Sequence, residues 1–279
     1  MEKTQFLSEI HVSAFSLHMQ KEEKSPITIQ KYLRDIRIFR EFIGEQPVTK
    51  ERTVAYKQHL MDRGYAAASV NSMLAAVNSL MQFLGWYDCR VKTIRVQRKI
   101  YCQEETELTK GEYLRLLEAA RDQRLNLILQ TLCATGIRIS ELRYFTVEAV
   151  KRGEVVVRCK NKTRTVFVPA RLKSRLLAYA RKKRIEKNQI FVTSTGKTLD
   201  RSNIWAQMKA LCNEARVNPK KVFPHNLRKL FARTFYQMDK DIAKLADILG
   251  HGNIETTRIY IIGTGAEHRC QMERMGLVV

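Results

Sequence analysis

The sequence predicts a mainly α-helical protein of two domains, an all-α bundle followed by a mixed α+β domain with a small antiparallel sheet. Three observations carry this. Four stretches with apolar residues at helical spacing come first, ending near Gly85. The helical period then fades in a basic stretch between Trp86 and Glu107. Beyond it helices resume, interrupted by two short runs near residues 154–168 where the period changes to two.

In chain order, Phe6, Ile10, Ala14 and Leu17 share one face of a first helix over residues 5–20. Ser25-Pro26 makes an N-cap and first-turn pair for a second, with Ile29, Leu33, Ile36, Phe39 and Ile43 inward and Gly44 as its stop. A third runs from Thr49 to Met61 and ends at Gly64. The fourth starts at Ser69, carries Val70, Met73, Leu74, Val77, Leu80, Met81 and Leu84, and stops at Gly85. Residues 1–88 are therefore read as a helical domain whose exposed Lys and Arg can face a polyanion. Residues 89–106 read as an extended linker whose Arg90, Lys92, Arg95, Arg98 and Lys99 can track a phosphate backbone. An ordinary edge strand is the alternative.

The second domain, 107–279, opens on a capping box, Thr109-x-x-Glu112, before a helix through Leu116, Leu117 and Ala120. The next helix begins near Leu125 and ends at Gly136, a left-handed cap that turns the chain sharply and sets Arg138 beside another helix start near Ile139. Glu154–Cys159 and Thr165–Val168 are strand-like and flank Lys160-Asn161-Lys162-Thr163-Arg164, which predicts a hairpin with a basic tip offering Lys162 and Arg164 to a polyanion. Residues 171–187 form a very basic helix. Ile190-Phe191-Val192 is a short strand candidate, and Ser202 or Asn203 caps a helix through Trp205, Met208 and Leu211. After Phe223-Pro224, a helix carries Leu227, Leu230, Phe231, Thr234 and Phe235 inward, with His225 and Arg228 three apart on one side of its start. Asp241–Leu249 is a further helix ending at Gly250, and a short one from Asn253 brings Tyr260 around. Residues 261–279 are long enough for one more.

The chain has 279 residues and a formal charge of +22, from 50 basic against 28 acidic side chains. Spread over sequence that is 44% hydrophobic, that excess points to a polyanionic partner, nucleic acid ahead of an anionic membrane surface. No apolar run reaches bilayer length and the first residues lack the order of a secretory signal, so a soluble, cytoplasmic protein is expected. The six cysteines are scattered, which argues for reduced thiols over a disulfide framework or a zinc site.

The residue types at 225–260 suit chemistry on phosphate. Arginine offers a planar fork of donors, histidine can hydrogen-bond an oxyanion or pass a proton, and tyrosine can be the nucleophile. Each has an ordinary reading alone, as surface charge, cap or helix tyrosine; the spacing of the set favours the chemistry. The set also resembles the tyrosine recombinases, the phage-integrase and Xer-like family. Ala134-Thr135-Gly136-Ile137-Arg138-Ile139-Ser140-Glu141-Leu142 is similar to that family's first arginine box, His225-x-x-Arg228 to its second, and Leu249-Gly250-His251 with Tyr260 to its third.

The resemblance implies a core-binding, SAM-like N-terminal bundle and a tyrosine-recombinase catalytic domain. It implies that Arg138 and Arg228 clamp the scissile phosphate and that Tyr260 attacks it. His225 and His251 would bond the phosphate or assist proton movement, and Lys160 would be the general acid, with Lys162 its competitor. Glu141 is expected to orient a neighbour. The resemblance further implies double-stranded DNA recombination sites as substrate, a homo-tetramer on DNA, a mobile-element or chromosome-resolution role, possible use of accessory DNA-bending proteins, and neither metal nor cofactor. Ionising an ordinary tyrosine at neutral pH costs roughly 4 kcal/mol, which clustered arginines and imidazoles can lower. A catalytically silent DNA-binding protein of the same fold and a type IB topoisomerase-like enzyme are the alternatives. In the tail, Met272, Met275, Leu277 and Val278 suit a groove on a neighbour or on the protomer's own core.

Overall fold

The computed structural model describes residues 5–96, 104–159, 162–193, 195–263 and 265–276. The chain divides into two compact units, Met1–Arg98 and Lys99–Val279.

The first unit is built from α1 (Glu9–Lys21), α2 (Pro26–Ile43), α3 (Lys50–Asp62) and α4 (Ala67–Phe83). The Ser25 hydroxyl caps α2 as expected, accepting the Thr28 N–H at 3.2 Å, and Thr49 caps α3 by accepting from Arg52. Ile36 and Phe39 of α2, Tyr56 and Leu60 of α3, and Val70, Leu74, Val77 and Leu80 of α4 are buried together. At about 1.5–3 kcal/mol for each fully buried large side chain, this interior sets the packing.

One expectation fails here. α1 joins the core through Val12, Phe15 and Met19, whereas Ile10 is 78% exposed and Leu17 59%. Both sets repeat at helical spacing; Phe15 wins because its ring meets Phe83 at 5.6 Å between centroids.

Residues 90–96 are extended and strapped along this unit. Asn71 and Asn78 lie two turns apart on α4, and each side-chain amide pairs with one strap residue through both its groups. Asn78 bonds Val91 at 2.8 and 2.9 Å, and Asn71 bonds Ile94 at 2.9 and 2.7 Å. An asparagine amide carries a donor and an acceptor as a backbone does, so it serves as a substitute strand edge. Arg90, Lys92 and Arg95 remain exposed; Arg98 and Lys99 lie outside the described residues.

In the second unit, α5 (Lys110–Ala119) opens on the Thr109/Glu112 capping box, and α6 (Gln123–Thr135) ends at Gly136. A 3-10 turn, Ile139–Tyr144, leads to α7 (Val147–Arg152), a helix the sequence reading did not separate. β1 (Glu154–Cys159) and β2 (Lys162–Phe167) pair antiparallel, from Glu154↔Phe167 to Cys159↔Lys162. Only two residues separate the strands, so Lys162, Thr163 and Arg164 belong to β2 and not to a five-residue tip. With a period of two, Arg164 shares the inward face with buried Val166.

Then come α8 (Ala170–Lys182), α9 (Arg201–Ala210), α10 (Cys212–Ala215), α11 (Pro224–Asp239), α12 (Ile242–Leu249), α13 (Ile254–Ile261) and α14 (Gly265–Arg274). Two local expectations are corrected. Ile190-Phe191-Val192 forms no sheet strand, and Val192 makes only an isolated bridge to Thr198. Asp200 caps α9, accepting from Ser202 and Asn203 at 2.7 and 3.2 Å, because its carboxylate sits one residue ahead of the helix. The core gathers α6 around Ile128, Leu129 and Leu132, with β1, α8 and the start of α11. A second cluster, Ala232, Leu245, Leu249 and Tyr260, joins α11, α12 and α13. Among the described residues, no helix is long and apolar enough to cross a membrane.

Candidate active site

Three helix ends meet at one place: the C-terminus of α6, the N-terminus of α11 and the C-terminus of α12. Gly136 ends α6 at φ 61°, and a Cβ there would stand 2.3 Å from the Phe231 ring of α11, so the close approach requires glycine. Pro224 at the first turn of α11 starts the helix that carries His225 and Arg228.

Arg228 is 1% exposed, an unusual place for a charge. Its Nη1 donates to the carbonyl of Gly136, and its Nη2 to that of Leu249 at 2.6 Å and to His251 Nε2 at 2.9 Å. Nε is buried with no hydrogen-bond partner. Burial, reinforced by the charge of Arg138, pulls its pKa down to about 10, which still leaves it charged at neutral pH. Desolvating a guanidinium beside a second one is costly, and an anion in front of both would relieve it.

Arg138 follows Gly136 by two residues. Its backbone N–H and its Nη1 reach Glu141 at 2.8 and 3.2 Å, while its side chain stays 35% exposed. Glu141 is 2% exposed and also receives Arg164 through two bonds of 2.9 Å. Burial pushes the Glu141 carboxyl up, but the Arg164 fork, the Arg138 N–H and the two charges outweigh it and hold the group below its ordinary value.

The two imidazoles flank the tyrosine. Tyr260 is 7% exposed, and its ring stands edge-on to His225 at 5.0 Å and to His251 at 5.2 Å. The Arg228 guanidinium carbon lies 6.0 Å from the same ring. His251 is tied by Nδ1 to the hydroxyl of buried Thr257 at 2.9 Å. Burial first, then Arg228 and Arg138, lower the His251 pKa to about 4. His225 is also pushed down, by burial and then by Arg228, Lys229 and Arg138, although the residue as a whole is exposed. At pH 7 His251 is neutral.

An open cleft of about 440 Å³ leads to this cluster, lined by Arg138, Ser140, His225 and Arg228 on one side and by Arg201, Ser202 and Trp205 of α9 on another. Five of the six residues expected in the catalytic set, Arg138, Arg228, His225, His251 and Tyr260, are thus brought together. Lys160 lies outside the described residues, as do Leu277 and Val278 of the tail. Lys162 is placed only by its backbone, at the start of β2. Arg164 is turned inward at 13% side-chain exposure, so it is not the open phosphate contact expected at a hairpin tip. Met272 on α14 and Met275 just beyond it are exposed. Sequence reasoning missed the supporting partners Thr257 and Arg164, and also the cleft wall of Arg201 and Trp205. A period-two reading of β2 would have turned Arg164 inward.

The phage integrase family model matches residues 106–264, and the N-terminal SAM-like domain model of phage integrases matches 12–87. A tyrosine recombinase XerA of Thermococcus kodakarensis is 30% identical over 96% of this chain and 95% of its own length. A tyrosine recombinase XerD of Halalkalibacterium halodurans is 30% identical over 88% and 90%. Among solved structures, a lambda integrase dimer bound to a COC′ core site aligns with TM-score 0.76 at 16% identity, covering 94% of this chain and 97% of that one. The XerA recombinase crystal structure aligns at 0.54 and 25%, covering 96% and 99%.

Proposed function

The chain belongs to the phage integrase family of tyrosine recombinases, a DNA strand-breaking and rejoining enzyme by that membership, and we propose that Tyr260 is its nucleophile in site-specific recombination. The observation that carries this assignment is the packing of the Tyr260 ring between His225 and His251, beside buried Arg228.

In this reading Arg138 and Arg228 hold the scissile phosphate at the mouth of the cleft and stabilise charge as phosphorus becomes five-coordinate. The Tyr260 oxygen bonds to phosphorus, and a neutral imidazole takes the phenolic proton. The bond to the 5′ oxygen breaks, and that oxygen receives a proton from the hairpin lysine, Lys160 or Lys162. A 3′-phosphotyrosyl bond and a free 5′-hydroxyl result; attack by a partner strand's hydroxyl reverses the chemistry. The substrate is then duplex DNA with a specific recombination site, and exchange uses a homo-tetramer assembled on it in the cytoplasm. Integration or excision of a mobile element and resolution of joined DNA use the same steps, and accessory DNA-bending proteins fit either. Arg90, Lys92 and Arg95, exposed on the strap, contribute phosphate contacts.

Covalent trapping tests the assignment. Purified protein is incubated with nicked suicide duplexes carrying candidate sites from DNA flanking its gene, without divalent metal. An SDS-resistant adduct with wild type and none with Tyr260→Phe is expected. Specific binding without an adduct would favour a catalytically silent DNA-binding protein; with a supercoiled plasmid carrying the trapped site, relaxed circles and no exchanged joints would favour a topoisomerase-like enzyme.

A further inference from the structure

Two arginines from distant parts of the chain close the C-terminus of α12. Arg228 donates to the carbonyl of Leu249, and Arg164 Nε donates to its neighbour Ile248 at 3.0 Å. The same two arginines also reach the segment that carries Arg138: Arg228 through Gly136, and Arg164 through both oxygens of Glu141. Gly250 leaves room for this, since a Cβ there would stand 2.6 Å from Arg164 Cδ. Neither Arg164 nor Glu141 faces the open cleft described above.

The charges explain why a second arginine is useful. Glu141 is the buried carboxylate within reach of Arg138 and would bind that guanidinium as a fork if it were unoccupied. Arg164 takes the fork, with two bonds of 2.9 Å, and leaves Arg138 a single side-chain bond of 3.2 Å. The rest of the Arg138 fork stays available at 35% exposure. At the same time Arg164 pins the carbonyl three residues ahead of His251.

We propose that Arg164 is a positioning residue: it occupies Glu141 so that Arg138 is left for the phosphate, and it holds the α12 end that presents His251. This rests on the recombinase assignment above. Arg164 touches no reacting atom. Its effect falls on the rate of strand cleavage and leaves DNA affinity nearly unchanged.

The test uses full-length Arg164→Met, Arg164→Lys and the double variant Arg164→Met/Glu141→Gln on a suicide duplex that wild type traps. Equilibrium binding and the single-turnover rate of adduct formation at saturating protein are both read. Arg164→Met is expected to bind within about threefold of wild type and to form adduct on the order of 10²-fold more slowly. Arg164→Lys recovers part of that loss, keeping the charge without the fork. The double variant is faster than Arg164→Met alone, because no carboxylate remains to capture Arg138; a strut with only a structural role predicts no such recovery. Should Arg164→Met fail to fold, Arg164→Lys with and without Glu141→Gln makes the same comparison. A wild-type rate in the Arg164 variants, or a loss matched by equal loss of binding without recovery in the double, overturns the proposal. Absence of any wild-type adduct on specifically bound DNA defeats the recombinase assignment itself, whereas unchanged Arg164 variants defeat only the positioning role.

Discussion

Arg228 Nη2 stands 2.9 Å from His251 Nε2, and a guanidinium can only donate. The imidazole therefore accepts at Nε2 and carries its proton on Nδ1, directed at the Thr257 hydroxyl 2.9 Å away. The neutral Nδ1–H tautomer should be visible in the ring nitrogen shifts of labelled, DNA-free protein; an Nε2–H form would contradict the arrangement.

This neutrality has a pH consequence. The folded His251 pKa is about 4, against about 6.5 for an ordinary histidine. Between those values the unfolded chain binds more protons, so His251 favours the fold fully above pH 6.5 and its contribution is lost as pH falls toward 4. Thermal melts across that window should show wild type losing more stability than His251→Gln. Equal losses would remove His251 as a source.

Arg228→Lys should be poorly tolerated. Lysine keeps the charge but cannot span the carbonyls of Gly136 and Leu249 together, and one of them is left without its donor in a buried site. Adduct formation should fall by about 10²–10³-fold, with folding stability reduced by about 1–3 kcal/mol. Wild-type cleavage in Arg228→Lys would argue against a clamp.

Gly250→Ala and Gly153→Ala separate backbone strain from crowding. Both glycines have positive φ, 66° and 86°, but an added Cβ meets Arg164 Cδ at 2.6 Å in the first and only Lys173 Nζ at 3.9 Å in the second. Each should lose about 1 kcal/mol to conformation. Denaturant unfolding should show a further loss at Gly250, and adduct formation should slow there alone.

Asn71→Ala and Asn78→Ala should release the strap. Each removes a paired donor and acceptor from a backbone segment, at about 1–3 kcal/mol, and trypsin should then cut sooner after Arg90, Lys92 and Arg95. Unchanged cleavage times would mean that buried Val91, together with Lys50 and Lys57 donating to the Arg90 and Lys92 carbonyls, holds the segment without them.

Where local signals decide the structure, the sequence was readable. Capping at Ser25 and Thr109, the left-handed stop at Gly136, the helix end at Gly250, and the helical stripes of α2 and α4 each depend on a few adjacent residues. The convergence of Arg138, His225, Arg228, His251 and Tyr260 was legible because their spacing matches a family pattern. What failed depends on tertiary choice. α1 carries two apolar stripes with the same period, and the core it meets, Phe83 of α4 among it, takes the Phe15 stripe and leaves Ile10 outside. Arg164 read as an open phosphate contact because its partner Glu141 is twenty-three residues away. Thr257 gave no signal at all, since a threonine inside a helix is usually unremarked until a ring nitrogen is found beside it.

The contacts that hold the arginines in place have a bearing on when the protein becomes able to cut. Arg228 and Gly136 are 92 residues apart in the chain, Arg164 and Ile248 are 84 apart, and Arg228 and Leu249 are 21 apart. No fragment that folds locally can make them, because closing such loops must precede the bonds that reward it. A full-length but partly unfolded copy therefore carries Arg138, Arg228, His251 and Tyr260 and still lacks their assembled arrangement. The topology of the chain itself ties that arrangement to completed folding.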